Sequence, residues 1–199
     1  MELIVLRHAR PVSDVREEGE GAADPQLSSL GHRQAAATAD YLVNEGVDHI
    51  VASTMRRAIE TAQHLANRLG LPVEKIDDLK EADHFRNQYT PIEEMEDSHP
   101  VVREYLEDPL SIFGGDYYGF RDRITSAFDQ IVEHHRGQTA AVFCHGMVMG
   151  VFLQTMLGHD NPLALHSDYC GIMRVTASTK GFRTVRSVNE TGHVHHLLD

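Results

Sequence analysis

The 199-residue chain is short of positive charge: 18 lysines and arginines stand against 30 aspartates and glutamates, a formal net charge of -12. No lysine-rich or arginine-rich run offsets that balance, which argues against a general nucleic-acid binder or a binder of anionic membranes. A small anionic substrate stays open, because a site needs only a few local charges. Cysteine is scarce as well. Cys144 and Cys170 lie in no metal-ligand or redox spacing, so a reduced, cytoplasmic protein is expected. Six places after Cys144 stands Gly150 rather than an arginine, which removes the cysteine-phosphatase loop. The glycine-rich phosphate loop ending in Lys-Ser/Thr is missing too, and with it the case for a nucleoside triphosphatase. Long apolar runs are lacking: the first is only Leu3 to Leu6, behind Glu2, so neither a signal peptide nor a membrane span is expected.

What is present fits one globular domain of residues 1–199 with a sizeable core, at 41% apolar and 24% charged residues. The run Leu3 to Leu6 reads as a strand buried on both faces. A polar loop follows from Val12 to Gln26. Ser29 is then placed to cap a helix from about Leu30 to Asn44, ended by Gly46. Val47 to Ala52 reads as a second strand, with Ser53 as N-cap of a helix carrying Ile59, Ala62, Ala66 and Leu69 and stopped by Gly70 and Pro72. Val73 to Ile76 suggests a third strand. From Glu81 to Gly115 the pattern breaks into acidic runs, prolines and a glycine pair, which reads as a cap insertion over about 83–115, helical near Val101 to Leu106.

Phe120, Ile124, Phe128 and Ile131 mark an amphipathic helix closed by Gly137. Thr139 to Cys144 is the next strand, followed by a helix from about Met147 to Leu157. Ile172 to Ala177 and Phe182 to Val188 read as a closing strand pair. Strands alternating with helices predict an α/β three-layer sandwich, with a mostly parallel central sheet and helices on both faces. In such folds ligands bind beyond the carboxyl ends of the strands.

That rule singles out three places. "LIVLRH" ends at His8, "AAVFCH" ends at His145, and "DHIVAS" leads at once to Arg56 and Arg57. Arginine forks match phosphate oxygens, and an imidazole beside them serves as nucleophile or acid–base group. A single histidine after a strand is ordinarily a satisfied loop residue, and an arginine at a helix start is ordinarily solvated. The constellation carries the reading, not any one member.

These residues carry a resemblance. "LRHAR" resembles the Arg-His-Gly signature of the histidine phosphatase superfamily, the phosphoglycerate-mutase-like fold. "LSSLGHRQA" (Leu27 to Ala35), "STMRRAIETA" (Ser53 to Ala62), "LKEADHF" around Glu81 and "FCHGMVMG" around His145 are similar to further motifs of that family, in the family's order. The resemblance implies that His8 is the nucleophile and becomes a phosphohistidine. It implies that Arg7, Arg57 and His145 bind the phosphoryl oxygens, and that Glu81 protonates the leaving oxygen and then helps activate water. It implies a metal-independent hydrolase with no cofactor, acting on a small phosphorylated substrate. Fixed arginines can stabilise a phosphoryl-transfer transition state without a metal.

Departures narrow the reading. Ala9 replaces the usual glycine, which is tolerable unless that position needs positive φ. Pro11 stands where many members carry threonine or serine, and the asparagine common in mutases is missing near Ser13 and Asp14. Arg10, Arg16 and Arg86 are candidates for extra substrate contacts, with a surface charge as the plainer reading of each. Asp83 and His84 stand in reserve for Glu81. Cys144 reads as a core residue. "GGDYYGF" (Gly114 to Phe120) and "NETGHV" (Asn189 to Val194) resemble family segments. His193 could therefore approach the site or sit on the surface, and "HVHH" (His193 to His196) lacks the companions of a metal site. The acidic residues Glu93, Glu94, Glu96 and Asp97 would disfavour a highly anionic substrate if they faced the site; a solvated face is the plainer reading. A phosphomonoesterase is the expectation; a phosphoglycerate-type mutase and a non-catalytic phospho-ligand module are the alternatives. The short chain and the changed residues after His8 favour hydrolysis.

Overall fold

The computed structural model describes residues 1–91, 94–96, 98–178 and 180–198; Glu93 and Asp97 lie outside them. In chain order the elements are β1 (Glu2–Arg7), β2 (Asp14–Val15), α1 (Ser29–Leu42), β3 (His49–Ser53), α2 (Arg56–Leu69), β4 (Val73–Ile76), β5 (Gln88–Tyr89), α3 (Pro100–Glu107), α4 (Tyr117–His134), β6 (Thr139–Cys144), α5 (Gly146–Leu157), β7 (Ile172–Ala177) and β8 (Arg183–Glu190). Six strands form the central sheet in the order β4-β3-β6-β1-β7-β8. β4, β3, β6 and β1 run parallel, β7 is antiparallel to β1, and β8 is antiparallel to β7. This is the mostly parallel three-layer α/β arrangement read from the sequence.

The apolar run of β1 explains why that strand lies inside. Leu3, Ile4, Val5 and Leu6 are all fully buried, and alternation splits them between two faces. Leu3 and Val5 join Ile124, Phe128, Val151 and Phe152 of α4 and α5. Ile4 and Leu6 join Ala39, Leu42, Ala62 and Leu65 of α1 and α2. Each such side chain contributes about 1.5–3 kcal/mol by burial. Phe128 and Phe152 stack with ring centroids 3.7 Å apart, joining α4 to α5. Cys144 lies in the same core and both cysteines are free thiols.

Two caps differ from expectation. Ser28, not Ser29, caps α1: its Oγ accepts from Gly31 N at 3.0 Å. Adjacent serines make that choice invisible in sequence. Ser53 ends β3 instead of capping α2, whose N-cap is Met55 with no side-chain cap. The first turn of α2 is served from afar, since Arg56 N donates to Asp24 Oδ1 at 2.8 Å. Gly31 sits where α1 crosses the chain after β1, and an added Cβ would lie 2.0 Å from Arg10 O.

Residues 81–115 hold β5, α3 and a short 3₁₀ turn, Ser111–Phe113. β5 pairs antiparallel with β2, Asp14 opposite Tyr89 and Val15 opposite Gln88, which fastens this segment to the loop after β1. Neither two-residue strand was expected. Glu94 is described, and its carboxylate takes Arg10 Nη2 at 2.8 Å and Ser13 Oγ at 3.1 Å. Among the described residues no helix is long and apolar enough to cross a membrane.

Candidate active site

β1 and β6 are paired so that Arg7 lies opposite Cys144. The next residue of each strand is a histidine, so the sheet itself delivers His8 and His145 side by side. Their ring centroids are 5.1 Å apart and both are buried. β3, the neighbour of β6, leads into α2, whose second residue is Arg57. Arg57 is fully buried, which a guanidinium tolerates only with partners.

Those partners define the chemistry. Arg57 Nε donates to His8 Nε2 at 3.1 Å, and Arg57 Nη2 lies 3.3 Å from Asp83 Oδ1. His8 Nδ1 lies 2.8 Å from Ala9 O, where it can only donate. His8 is thereby set with its proton on Nδ1 and its lone pair on Nε2. Burial first, then the charges of Arg57 and Arg7, hold its pKa well below the ordinary histidine value; the bond to Ala9 O resists. His145 is held down by burial, then by Arg57 and His8. Both imidazoles are therefore neutral.

Arg7 Nη1 donates to Ser167 O at 2.7 Å, and its guanidinium lies 4.1 Å above the Tyr169 ring. Arg57 stacks in the same way on Tyr89, 4.6 Å from the ring centre. Each of the two arginines thus rests on a tyrosine ring. Thr61, one turn after Arg57, accepts from Ala9 N at 3.0 Å and donates to Arg57 O at 2.7 Å.

Glu81 closes the group. Its Oε2 accepts from Met147 N and its Oε1 from Ala82 N, each at 2.9 Å. The first of these docks the carboxyl on the first turn of α5, directly behind His145. Burial, then the nearby Asp83 carboxylate, push its pKa up to about 7, against the pull of the two N–H groups and Arg57. Among the described residues, Arg57 Nη1 and both ring nitrogens of His145 are buried with no hydrogen-bond partner. Buried polar atoms are almost always satisfied, so two unpartnered donors, Arg57 Nη1 and the single N–H of neutral His145, suit an anionic group with several oxygens.

Arg7, His8, Arg57, Glu81 and His145 thus meet in one place. Asp83 joins them through Arg57. His84 does not: it is exposed, with Nδ1 2.8 Å from Glu81 O. Arg10, Arg16 and Arg86 pair with Glu94, Asp14 and Glu104 at 2.8, 3.1 and 3.1 Å. His193 stacks on Tyr41 with ring centroids 4.8 Å apart and is half-buried, so it is neither a site residue nor a free surface one. Among the described residues no group of three or more His, Cys, Asp or Glu side chains is placed to hold a metal ion.

Tyr89, Tyr169 and Thr61 were not anticipated. Tyr169 had a topological signal: β7 is antiparallel to β1, so the residues before β7 flank the end of β1. Tyr89 had none, because it lies in the irregular segment. Thr61 had only its helical spacing from Arg57.

Comparison with known proteins places the sequence and the fold. A bifunctional protein of Mycobacterium tuberculosis is 30% identical over 200 residues, covering 96% of this chain but 54% of that protein, so the chain spans about half its length. Phosphoserine phosphatase 1 of Hydrogenobacter thermophilus is 29% identical over 164 residues, covering 80% of this chain and 78% of its own. The fold is shared with a phosphoserine phosphatase mutant of Entamoeba histolytica solved in complex with phosphoserine, at TM-score 0.74 and 19% identity over 97% of this chain and 98% of that one. The model of the histidine phosphatase superfamily (branch 1) matches residues 3–190, and with nearly the whole sequence inside that match the chain belongs to this superfamily.

Proposed function

We propose that the chain is a metal-independent phosphomonoesterase that hydrolyses a small phosphorylated substrate through a phosphohistidine on His8. The carrying observation is the fixed tautomer of a neutral His8, with Nε2 facing the arginine forks and His145. On binding, the phosphoryl oxygens take Arg57, Arg7 and a ring N–H of His145, and Arg57 Nε leaves the His8 lone pair. Nε2 then bonds to phosphorus while the bond from phosphorus to the leaving oxygen breaks, and Glu81 gives that oxygen its proton. The Ala9 carbonyl stabilises the positive charge that the ring acquires. In the second half, the Glu81 carboxylate takes a proton from water, the water oxygen bonds to phosphorus, and the bond from phosphorus to Nε2 breaks.

The N–H donors and arginines are already aimed, so little reorganisation accompanies the charge shift. In this reading the chain is one domain, and residues 83–115 form a cap that selects the leaving group. Two free, buried thiols suit a reducing cytoplasm.

The test is p-nitrophenyl phosphate turnover by His8→Ala, together with rapid-quench mass spectrometry of the wild type. The expected results are loss of turnover in the variant and an acid-labile phosphoryl adduct on the peptide holding His8. Turnover unchanged in His8→Ala would overturn the proposal. Isomerisation of 3-phosphoglycerate without phosphate release would replace it with the mutase reading.

A further inference from the structure

We propose that Asp83 is a specificity-determining residue that restricts the site to phosphate monoesters whose leaving group carries no second anion, such as a neutral or amine-bearing alcohol. This rests on the phosphomonoesterase reading above and adds the substrate class to it.

A phosphate monoester brings roughly -1.5 to -2 charges at neutral pH. Arg7 and Arg57 are the two cations gathered at His8. Asp83 Oδ1 lies 3.3 Å from Arg57 Nη2 and so cancels one of them. A single guanidinium separates this carboxylate from the attacking nitrogen, because Arg57 Nε is on His8 Nε2. Asp83 is also held in place: it follows Glu81 by two residues in a turn where His84 N donates to Glu81 O and Arg86 N donates to Asp83 O. Its side chain is 24% exposed against 1% for Arg57, so Asp83 is the solvent-facing member of the pair. With phosphate bound, the group already carries excess negative charge. A carboxylate on the leaving group would add to it.

The neighbouring cations are engaged elsewhere: Arg123, near Glu81, donates to Asp78 O and Lys80 O. Arg10, on the loop directly after His8, is held by Glu94 at 2.8 Å; Arg16 is held by Asp14 and Arg86 by Glu104. Tyr89 and Tyr169, packed on Arg57 and Arg7, add no positive charge of their own. Selection by an unfavourable charge is a common device where a pocket must reject close relatives of its substrate.

The experiment compares kcat/KM for phosphoethanolamine, O-phosphoserine and 3-phosphoglycerate, with p-nitrophenyl phosphate as the control for phosphoryl transfer. The expected order falls along that series, by about tenfold or more from first to last. Asp83→Asn should narrow the ratio of first to last by about tenfold, because it removes the charge and keeps the shape. Asp83→Ser, which also removes the charge, should narrow it in the same direction and serves if Asp83→Asn does not fold. Equal values on the wild type, or an unchanged ratio in Asp83→Asn while aryl phosphate is still hydrolysed, would overturn the proposal. No turnover of any ester, the aryl one included, would instead overturn the phosphomonoesterase reading beneath it.

Discussion

Replacing Glu81 by glutamine separates the proton-donor role proposed for it from its role as a structural acceptor. Its carboxyl holds two backbone N–H groups, from Ala82 and Met147, and its pKa is pushed up to about 7. At neutral pH both protonation states are then present, which suits a group that gives a proton in one half-reaction and takes one in the next. General acid catalysis is worth about 10²–10⁴ in rate, or roughly 3–5 kcal/mol of barrier. An alkyl phosphate leaves as an alkoxide and needs that proton; p-nitrophenolate leaves without it. Glu81→Gln should therefore lower kcat/KM for an alkyl ester by about 10²–10⁴ and for the aryl ester by less than about tenfold.

The pH dependence has a defined sign. A carboxyl raised to about 7 keeps its proton below that pH and loses it above, so alkyl-ester turnover by the wild type should fall as pH rises through 7. The variant should lack this limb. The amide NH₂ cannot accept, so one of the two N–H bonds is lost, at about 1–3 kcal/mol of stability; a thermal melt checks that the variant is folded at the assay temperature. Equal losses on alkyl and aryl esters, or a basic limb that survives in Glu81→Gln, would show that Glu81 is not the proton donor.

Two further outcomes follow from the geometry. Arg57→Lys keeps the charge but supplies one donor nitrogen where three stand now, on His8, on Asp83 and unpartnered. kcat should fall by about 10²–10³, and a variant retaining a third of wild-type turnover in a steady-state assay would show that charge alone suffices. Gly31→Ala would gain about 1 kcal/mol of helix propensity but forces a Cβ to 2.0 Å from Arg10 O. Overpacking of about 1–3 kcal/mol should outweigh that gain, and a urea melt reads the balance.

What was legible in the sequence is what obeys a period or a topological rule. The two-sided burial of Leu3 to Leu6 follows from an unbroken apolar run. The meeting of His8 and His145 follows from placing two parallel strands side by side. The remainder depends on contacts between distant segments with no local signature. β2 and β5 are two residues each, and nothing in Asp14-Val15 or Gln88-Tyr89 announces that they pair. Arg56 N finds its cap in Asp24, far from the serine that local rules favour. The ring pair beneath Arg7 and Arg57 draws on Tyr169 and Tyr89, which lie 80 positions apart and meet only when the sheet and the 81–115 segment are both in place.

The two departures after His8 turn on backbone hydrogen bonds. Ala9 contributes its N–H to Thr61 and its carbonyl to His8 Nδ1, and both are main-chain groups that glycine or alanine supplies equally. Among the described non-glycine residues only Cys170 and Asn189 have positive φ, so Ala9 pays no left-handed strain. Its methyl is simply buried. Pro11 forms an antiparallel bridge with Leu27, in which Val12 N donates to Gln26 O and Ser28 N to Arg10 O. The bonds fall on either side of Pro11, so the N–H that proline lacks is one this pairing does not use. A threonine there would add a hydroxyl; the proline stiffens the strand that holds Arg10 O against Ser28 and Gly31. The chain thus has rigidity three residues after His8 where a threonine would offer a hydroxyl, and in the proposed mechanism the phosphoryl group falls to Arg57, Arg7 and His145.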